Sequence, residues 1–380
     1  MQARNKMWEG EAVAKTRIVG ISLYPGLYNS KEDIEKALHT AASLNVTQVF
    51  TSLHIPEANP KATVEDCRYM CGLANALGME VTADVSPYTF EIIQANPYDL
   101  KAFADLGLAG LRVDFGFSND ELKAMVNNPE HLNIVINATD IDRALLEELK
   151  AHGVNLSKLH ASHNFYPRIE SGLSMEYTVR QAKMLKEYGI TVGAFVASQV
   201  SKRAPLFEGL PTVEEHRFLE PARAAMRLFA TGVIDAVSVG DPLTPREELE
   251  ELVRISGLDC LEIRLQLAGE LSPREKEIVF GNKHRQRTAG MYRDVIRSAV
   301  RRDKNLIIQP RNYNVPRPYG TVTIDNSNYG RYVGELQIAL RDLPADSRVN
   351  VVGRIIDEDL PLIDLIGNSA YEYFCFVEVV

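Results

Sequence analysis

The chain has 380 residues, 45% of them hydrophobic, with 51 acidic against 42 basic side chains and a formal net charge of −9. That is enough apolar material for a large core, and the acidic balance argues against a general polyanion binder, so no nucleic-acid partner is expected. No run approaches the roughly 18 apolar residues of a membrane-crossing helix, so no membrane partner is expected. The opening MQARNKMWEGEAVAKTR lacks the apolar core of a secretory leader and reads as a polar extension over residues 1–16. The four cysteines show no zinc spacing and fit a reducing compartment.

In chain order, eight short apolar segments end in polar or glycine residues: Arg17–Leu23, Thr47–Leu53, Glu80–Val85, Gly110–Phe115, Asn133–Asn137, Asn155–His160, Thr191–Val196 and Ala236–Gly240. Stretches of helical periodicity separate them. Ser30 reads as an N-cap for a helix over Lys31–Leu44. Further helices are expected over Thr63–Leu77, Asp140–Ala151, Glu176–Tyr188, Val213–Thr231 and Pro245–Ile255. Eight strand–helix units predict an α/β fold, a (β/α)8 TIM-type barrel over residues 17–257, in preference to an open doubly wound sheet. The pattern changes after Leu258. CLEIRLQLA, NLIIQP, GTVTIDN, GELQIAL, VNVVGRI and FCFVEVV look like antiparallel strands, with a basic helical stretch around Arg285–Arg302. A small β-rich domain is expected over residues 258–380.

Barrels of this type build their sites at the C-terminal strand ends. Those ends carry Tyr24, His54, Asp84, Asp114, Asn137, His160, His163 and Asp241. Asp84 and Asp114 close neighbouring strands, which places their carboxyl groups about 5 to 6 Å apart. A carboxylate pair at that range serves glycoside hydrolysis, so these two are the expected acid–base centre. The competing reading pairs one of them with Arg112, which shares a strand face with Asp114. Glu57 is a reserve acid.

His160 and His163, with Asn164 and Arg168 just beyond, are expected to hydrogen-bond the substrate; structural histidines are the alternative. A His-x-x-His pair without a third strong ligand does not make a zinc site, so no metal or other cofactor is expected. Tyr24 joins the substrate-binding candidates. Asn137 suits a sugar hydroxyl or acetamido group, or else a turn before Asp140, and Asp241 suits a hydroxyl-binding or structural role. Lys158 on strand six leaves a Schiff-base aldolase or lyase open as a rival class.

GISLYPG (20–26), TSLHIPE (51–57), ADVSP (83–87), LRVDFGF (111–117), LHASHNFYPRIESGLS (159–174), GLPTVEEHR (209–217) and NYGRYVGELQI (328–338) occur in this order. Together they resemble a bacterial family, long labelled a domain of unknown function, whose characterised member is a 6-phospho-N-acetylmuramidase of cell-wall recycling. The resemblance runs over about residues 16–380. It implies a barrel followed by a cyclophilin-like domain, and hydrolysis of the β-1,4 bond in 6-phospho-N-acetylmuramyl–N-acetylglucosamine. It also implies a cytoplasmic enzyme, because that disaccharide is phosphorylated during uptake. A phosphorylated substrate calls for guanidinium donors. Arg311, Arg317 and Arg331, in loops with Tyr313, Asn328 and Tyr329, would supply them if the second domain folds over the barrel mouth. Arg168, or the loop around Lys202 and Arg203, is the alternative. A sugar-phosphate sensor without catalysis is a third reading.

Overall fold

The computed structural model describes residues 17–27, 29–53, 60–113, 116–287, 292–300, 306–311 and 315–379. Eight strands, β1 (Ile18–Ser22), β2 (Gln48–Ser52), β3 (Glu80–Val85), β4 (Gly110–Val113), β5 (Asn133–Asn137), β6 (Leu159–Ser162), β7 (Thr191–Val196) and β8 (Ala236–Pro242), form a closed barrel. All pairings are parallel, and β8 returns to β1. The sequence expectation of closure holds.

The two-residue strand period explains the core. On β3, Val81, Ala83 and Val85 point outward and are buried beneath the helices, while Thr82 and Asp84 alternate with them. The covering helices are α1 (Lys31–Ser43), α2 (Pro60–Ala76), α3 (Pro87–Ile93), α4 (Lys101–Asp105), α5 (Asn119–Val126), α6 (Arg143–Ala151), α7 (Met175–Glu187), α8 (Pro221–Ala230) and α9 (Arg246–Ser256). Their starts follow local chemistry. Ser30 accepts from the Asp33 amide and Asp33 reaches back to the Ser30 amide, a complete capping box. Asp142 caps α6, so that helix begins three residues later than Asp140. The expected helix over Val213–Thr231 is instead a short 3-10 turn, Glu214–His216, followed by α8 starting at Pro221. Proline suits a first helical position, where its missing N–H costs nothing.

The second domain holds β9 (Cys260–Leu267), α10 (Pro273–Phe280), β10 (Val295–Arg297), β11 (Thr321–Asp325), β12 (Leu336–Ala339), β13 (Val349–Ile355) and β14 (Tyr373–Glu378). Its six strands lie in the order β10-β12-β11-β13-β9-β14. Two expectations need correction. β14 runs parallel to β9, while the other pairings are antiparallel. The described part of the basic stretch around Arg285–Arg302 is not helical: β10 pairs with β12 there. Its arginines answer acids on separate segments, Arg297 pairing with Glu335 and Arg285 with Glu372, rather than lining one helix face.

The two domains meet along the flank of the barrel. Ala222, Met226 and Ala230 of α8 and Ile255 of α9 join the apolar core of the second domain. Arg223 bonds Glu262 at 2.9 Å, Arg264 pairs with Glu220 at 3.6 Å, and Arg17 donates to the Leu258 carbonyl at 2.6 Å. No described helix is long and apolar enough to cross a membrane.

Candidate active site

The C-terminal mouth of the barrel gathers a polar network from β3, β4 and β6. In register, Asp84 stands beside Arg112 on the next strand. Arg112 Nη1 donates to Asp84 Oδ1 at 2.9 Å, and Arg112 Nη2 donates to Asn164 Oδ1. Asn164 is fixed in turn: its amide donates to Thr139 Oγ1 at 3.2 Å, and its carbonyl accepts from Thr212 Oγ1 at 2.9 Å. The Arg112 side chain is 4% exposed and that of Asp84 is 20% exposed. The guanidinium is therefore sealed in the barrel wall while the carboxylate reaches solvent at the mouth. Asp114, Glu57, His54 and Tyr313 lie outside the described residues.

Long loops after β6 and β7 surround this network and are anchored through backbone groups. Asp241, fully buried at the end of β8, accepts from the amides of Ser198, Arg203 and Leu210 at 2.9–3.1 Å. Burial raises its pKa, and these three bonds oppose the shift. Gly240 makes the approach possible, because a Cβ there would stand 2.5 Å from the Leu210 carbonyl oxygen. Arg217, with no exposed surface, donates to the carbonyls of Tyr166, Arg168 and Gly209 and to both oxygens of Glu214. Glu214 accepts in addition from the amides of Glu170 and Gly172. The Arg217 hydrogen bond first, then those amides, hold the Glu214 carboxyl down to about 2. GLPTVEEHR is thus a clamp that ties two mouth loops together. Sequence reasoning met it only as a motif, since its partners are main-chain atoms.

Beneath these loops the barrel is plugged by aromatics. Phe165 packs edge-on against Phe50 at 6.1 Å and Phe195 at 5.2 Å, and Tyr24 meets Phe165 at 6.5 Å. Below Phe50 and Phe195 lies a cavity of about 260 Å³ that reaches the strand starts, lined by Gln48, Glu80, Thr82, His160 and Thr191 among others.

Several expected site residues stand elsewhere. His160 is not at a strand exit: β6 begins only at Leu159, so His160 lies near the opposite end, its Nδ1 2.5 Å from Thr191 Oγ1. His163 points out of the barrel and is fully buried, with Nδ1 3.4 Å from Thr139 Oγ1. Tyr24 is likewise fully buried in the plug and donates to the Gly240 carbonyl at 2.7 Å, so its hydroxyl is engaged below the mouth. Asn137 follows the turn reading, donating to Asp140 and accepting from the Thr139 amide. Asp241 serves the loop rather than a hydroxyl. Lys158 is exposed in a 3-10 turn before β6, at the entry end, where a Schiff base would be remote from the mouth. The Arg168 carbonyl belongs to the clamp.

Among the described residues, the bonds between the domains fall on Arg17, α8, α9 and their flanks. Arg311 pairs with Glu275 at 3.0 Å, Arg348 stacks on Tyr329 at 4.5 Å, and Arg331 bonds the Tyr332 hydroxyl at 3.1 Å, all within that domain. Arg317 donates to the Pro344 carbonyl and the Asn328 amide to Asn326, again locally. Among the described residues, no three of His, Cys, Asp and Glu come together as a metal site.

The buried histidines make stability depend on pH. Burial, and secondarily the charge of Arg112, pull His163 from 6.5 down to about 4; burial and Arg227 pull His216 from 6.5 to about 3. Both stay neutral in the fold and protonate more readily when it opens. Their stabilisation is therefore complete above pH 6.5 and is lost as pH falls toward 4 and 3. The urea midpoint should drop as pH falls from 6.5 toward 4.5, and His163→Gln should flatten that slope. A midpoint independent of pH across this window would contradict the assignment.

The fold and its mouth define a two-domain (β/α)8 barrel protein with carboxylate, guanidinium and amide groups at the end where barrel enzymes carry their sites. Residues 19–254 match the family model described as 6-phospho-N-acetylmuramidase, N-terminal, and residues 261–376 match 6-phospho-N-acetylmuramidase, C-terminal. The chain belongs to the 6-phospho-N-acetylmuramidase family, whose name denotes a glycosidase-type enzyme. It is similar to the crystal structure of an uncharacterized B. cereus protein, with 34% identity over 95% of this chain and 99% of that one, at a TM-score of 0.83. It is also similar to a conserved Enterococcus faecalis protein of unknown function, with 32% identity over 95% of this chain and 96% of that one, at 0.72. No curated protein matches it.

Proposed function

We propose that the chain is a cytoplasmic glycoside hydrolase that cleaves the β-1,4 bond of 6-phospho-N-acetylmuramyl–N-acetylglucosamine in peptidoglycan recycling. The observation that carries this reading is the family match across both domains. The mouth network gives it chemistry. With a guanidinium 2.9 Å away, Asp84 is suited to roles that need a carboxylate anion. Such an anion can attack the anomeric carbon, activate the water, or orient the substrate's 2-acetamido group for its own attack. The leaving oxygen then needs a proton from a second carboxyl group, for which Asp114, next in sequence after β4, or Glu57, is the candidate. Asn164, held by Arg112 and Thr139, offers a fixed amide beside the carboxylate.

The test is turnover of the disaccharide with and without its 6-phosphate. Release of N-acetylglucosamine from the phosphorylated compound, far faster than from the plain one, is the expected result. Tight binding without cleavage would replace the hydrolase by a sensor. The exposed position of Lys158 removes the motive for the aldolase reading.

A further inference from the structure

A second polar feature of the mouth lies across the barrel from Asp84. The loops after β1, β7 and β8 enclose a cavity of about 520 Å³, lined by Asn29, Ser201, Lys202 and Arg203 together with apolar residues such as Leu27 and Leu243. Arg203 lies over the aromatic plug, its guanidinium carbon 4.7 Å from the Tyr24 ring centre and 5.1 Å from that of Phe165. Stacking uses the face of a guanidinium and leaves its edge donors to bind elsewhere. Among the described residues, neither Arg203 nor Lys202 forms a salt bridge with a carboxylate. Two buried polar atoms also lack a hydrogen-bond partner among the described residues, Arg203 Nε and Asn29 Oδ1.

The nearby Asp241 carboxylate feels the charge of Lys202 but, among the described residues, forms no ion pair with it or with Arg203. Asp241 is fully buried, and its oxygens are occupied by the amides of Ser198, Arg203 and Leu210. Elsewhere among the described residues, Arg112, Arg217, Arg223 and Arg311 have matched acids in Asp84, Glu214, Glu262 and Glu275, while Arg17 and Arg227 instead donate to main-chain carbonyls. A cation left without one, fixed in orientation and facing a cavity, is arranged for an anion that arrives with a ligand.

We infer that this cavity binds the phosphate monoester of the sugar substrate, with Arg203 as its planar donor and Lys202 as a second charge. This rests on the proposed substrate, and it moves the phosphate from the second domain to the barrel's own β7 and β8 loops, where phosphate sites recur in this fold. β3 and β4 stand opposite β7 and β8 in the ring. The phosphate would then anchor one side of the sugar while Asp84 faces the other.

Arg203→Met keeps an apolar chain over the rings and removes the charge, while Lys202→Ala leaves the stack untouched; thermal melts verify that both fold. Calorimetry compares N-acetylmuramic acid 6-phosphate, N-acetylmuramic acid and inorganic phosphate as ligands. The expected result is that Arg203→Met weakens the phosphorylated sugar roughly 10- to 100-fold, the worth of a charged hydrogen bond, and leaves the plain sugar unchanged. Lys202→Ala should give a smaller loss of the same kind. Equal weakening of both sugars by Arg203→Met, or none by either variant, overturns the inference. So does inorganic phosphate that binds as tightly as the sugar phosphate, because the site would then recognise the free ion. Binding needs no turnover. A protein that binds the sugar phosphate through Arg203 yet cleaves nothing would refute the hydrolase and leave this site standing. One that cleaves normally with the preference of Arg203→Met intact would do the reverse.

Discussion

Asp84→Asn is expected to lower kcat on the phosphorylated disaccharide by about 10²- to 10⁴-fold, the range that loss of an acid–base group produces. The amide keeps the shape of the carboxylate but leaves the buried Arg112 guanidinium without its counter-charge, so the melting temperature should fall as well. KM should change much less than kcat, because the sugar's other contacts remain. Near-normal turnover in this variant would remove Asp84 from the chemistry and point to Asp114 and Glu57 as the working pair. If the carboxylate attacks directly, a small nucleophile such as azide should restore part of the activity with the Ala variant. If it only orients the acetamide, azide should do nothing.

Arg112→Met should cost both activity and stability. Its guanidinium holds Asp84 and Asn164 together from within the barrel wall, where it is 4% exposed. Removing one partner of a buried pair leaves the other uncompensated, at a cost of about 3–5 kcal/mol. A urea midpoint shifted by that amount, together with a fall in kcat comparable to that of Asp84→Asn, is the expected outcome. Combining the two substitutions should cost less than the sum, since both break one interaction. Full additivity would mean that the two side chains have no energetic coupling. Arg112→Lys, which keeps the charge but not the fork, should recover stability better than activity.

The barrel was readable because each of its units repeats two local signals, a two-residue apolar alternation and a capped amphipathic helix. Ser30 and Asp33 illustrate the second, their reciprocal bonds being visible in the letters alone. The place of Asp84 was readable from the strand alternation: it sits at the last inward position of β3 before Pro87. The histidines were misplaced by one boundary. Asn155 accepts from the Ser157 amide and starts a 3-10 turn, which delays β6 to Leu159 and turns an expected exit into an entry. The odd spacing of His160 and His163 then puts them on opposite faces. Arg217 and Asp241 were not readable as loop anchors, because the groups they bind are backbone atoms of distant segments. The second domain defeated a simple alternation reading where β14 joins β9 in parallel, a pairing that only the folded chain decides.

All residues of α8 are buried, and the helix serves two masters. Ala224, Ala225, Leu228 and Phe229 fill the barrel core, while Ala222, Met226 and Ala230 fill the core of its neighbour. Interfaces between domains of one chain are usually polar enough to let the parts swing; this one is continuous with both interiors. The barrel is consequently not a cassette that evolution or an engineer can lift out. A chain cut after α9 would carry a greasy stripe into water, along with Arg223 stripped of Glu262. Shuffling a different partner onto this barrel would demand a new α8, and a new α8 would in turn disturb the strands on which the mouth is built.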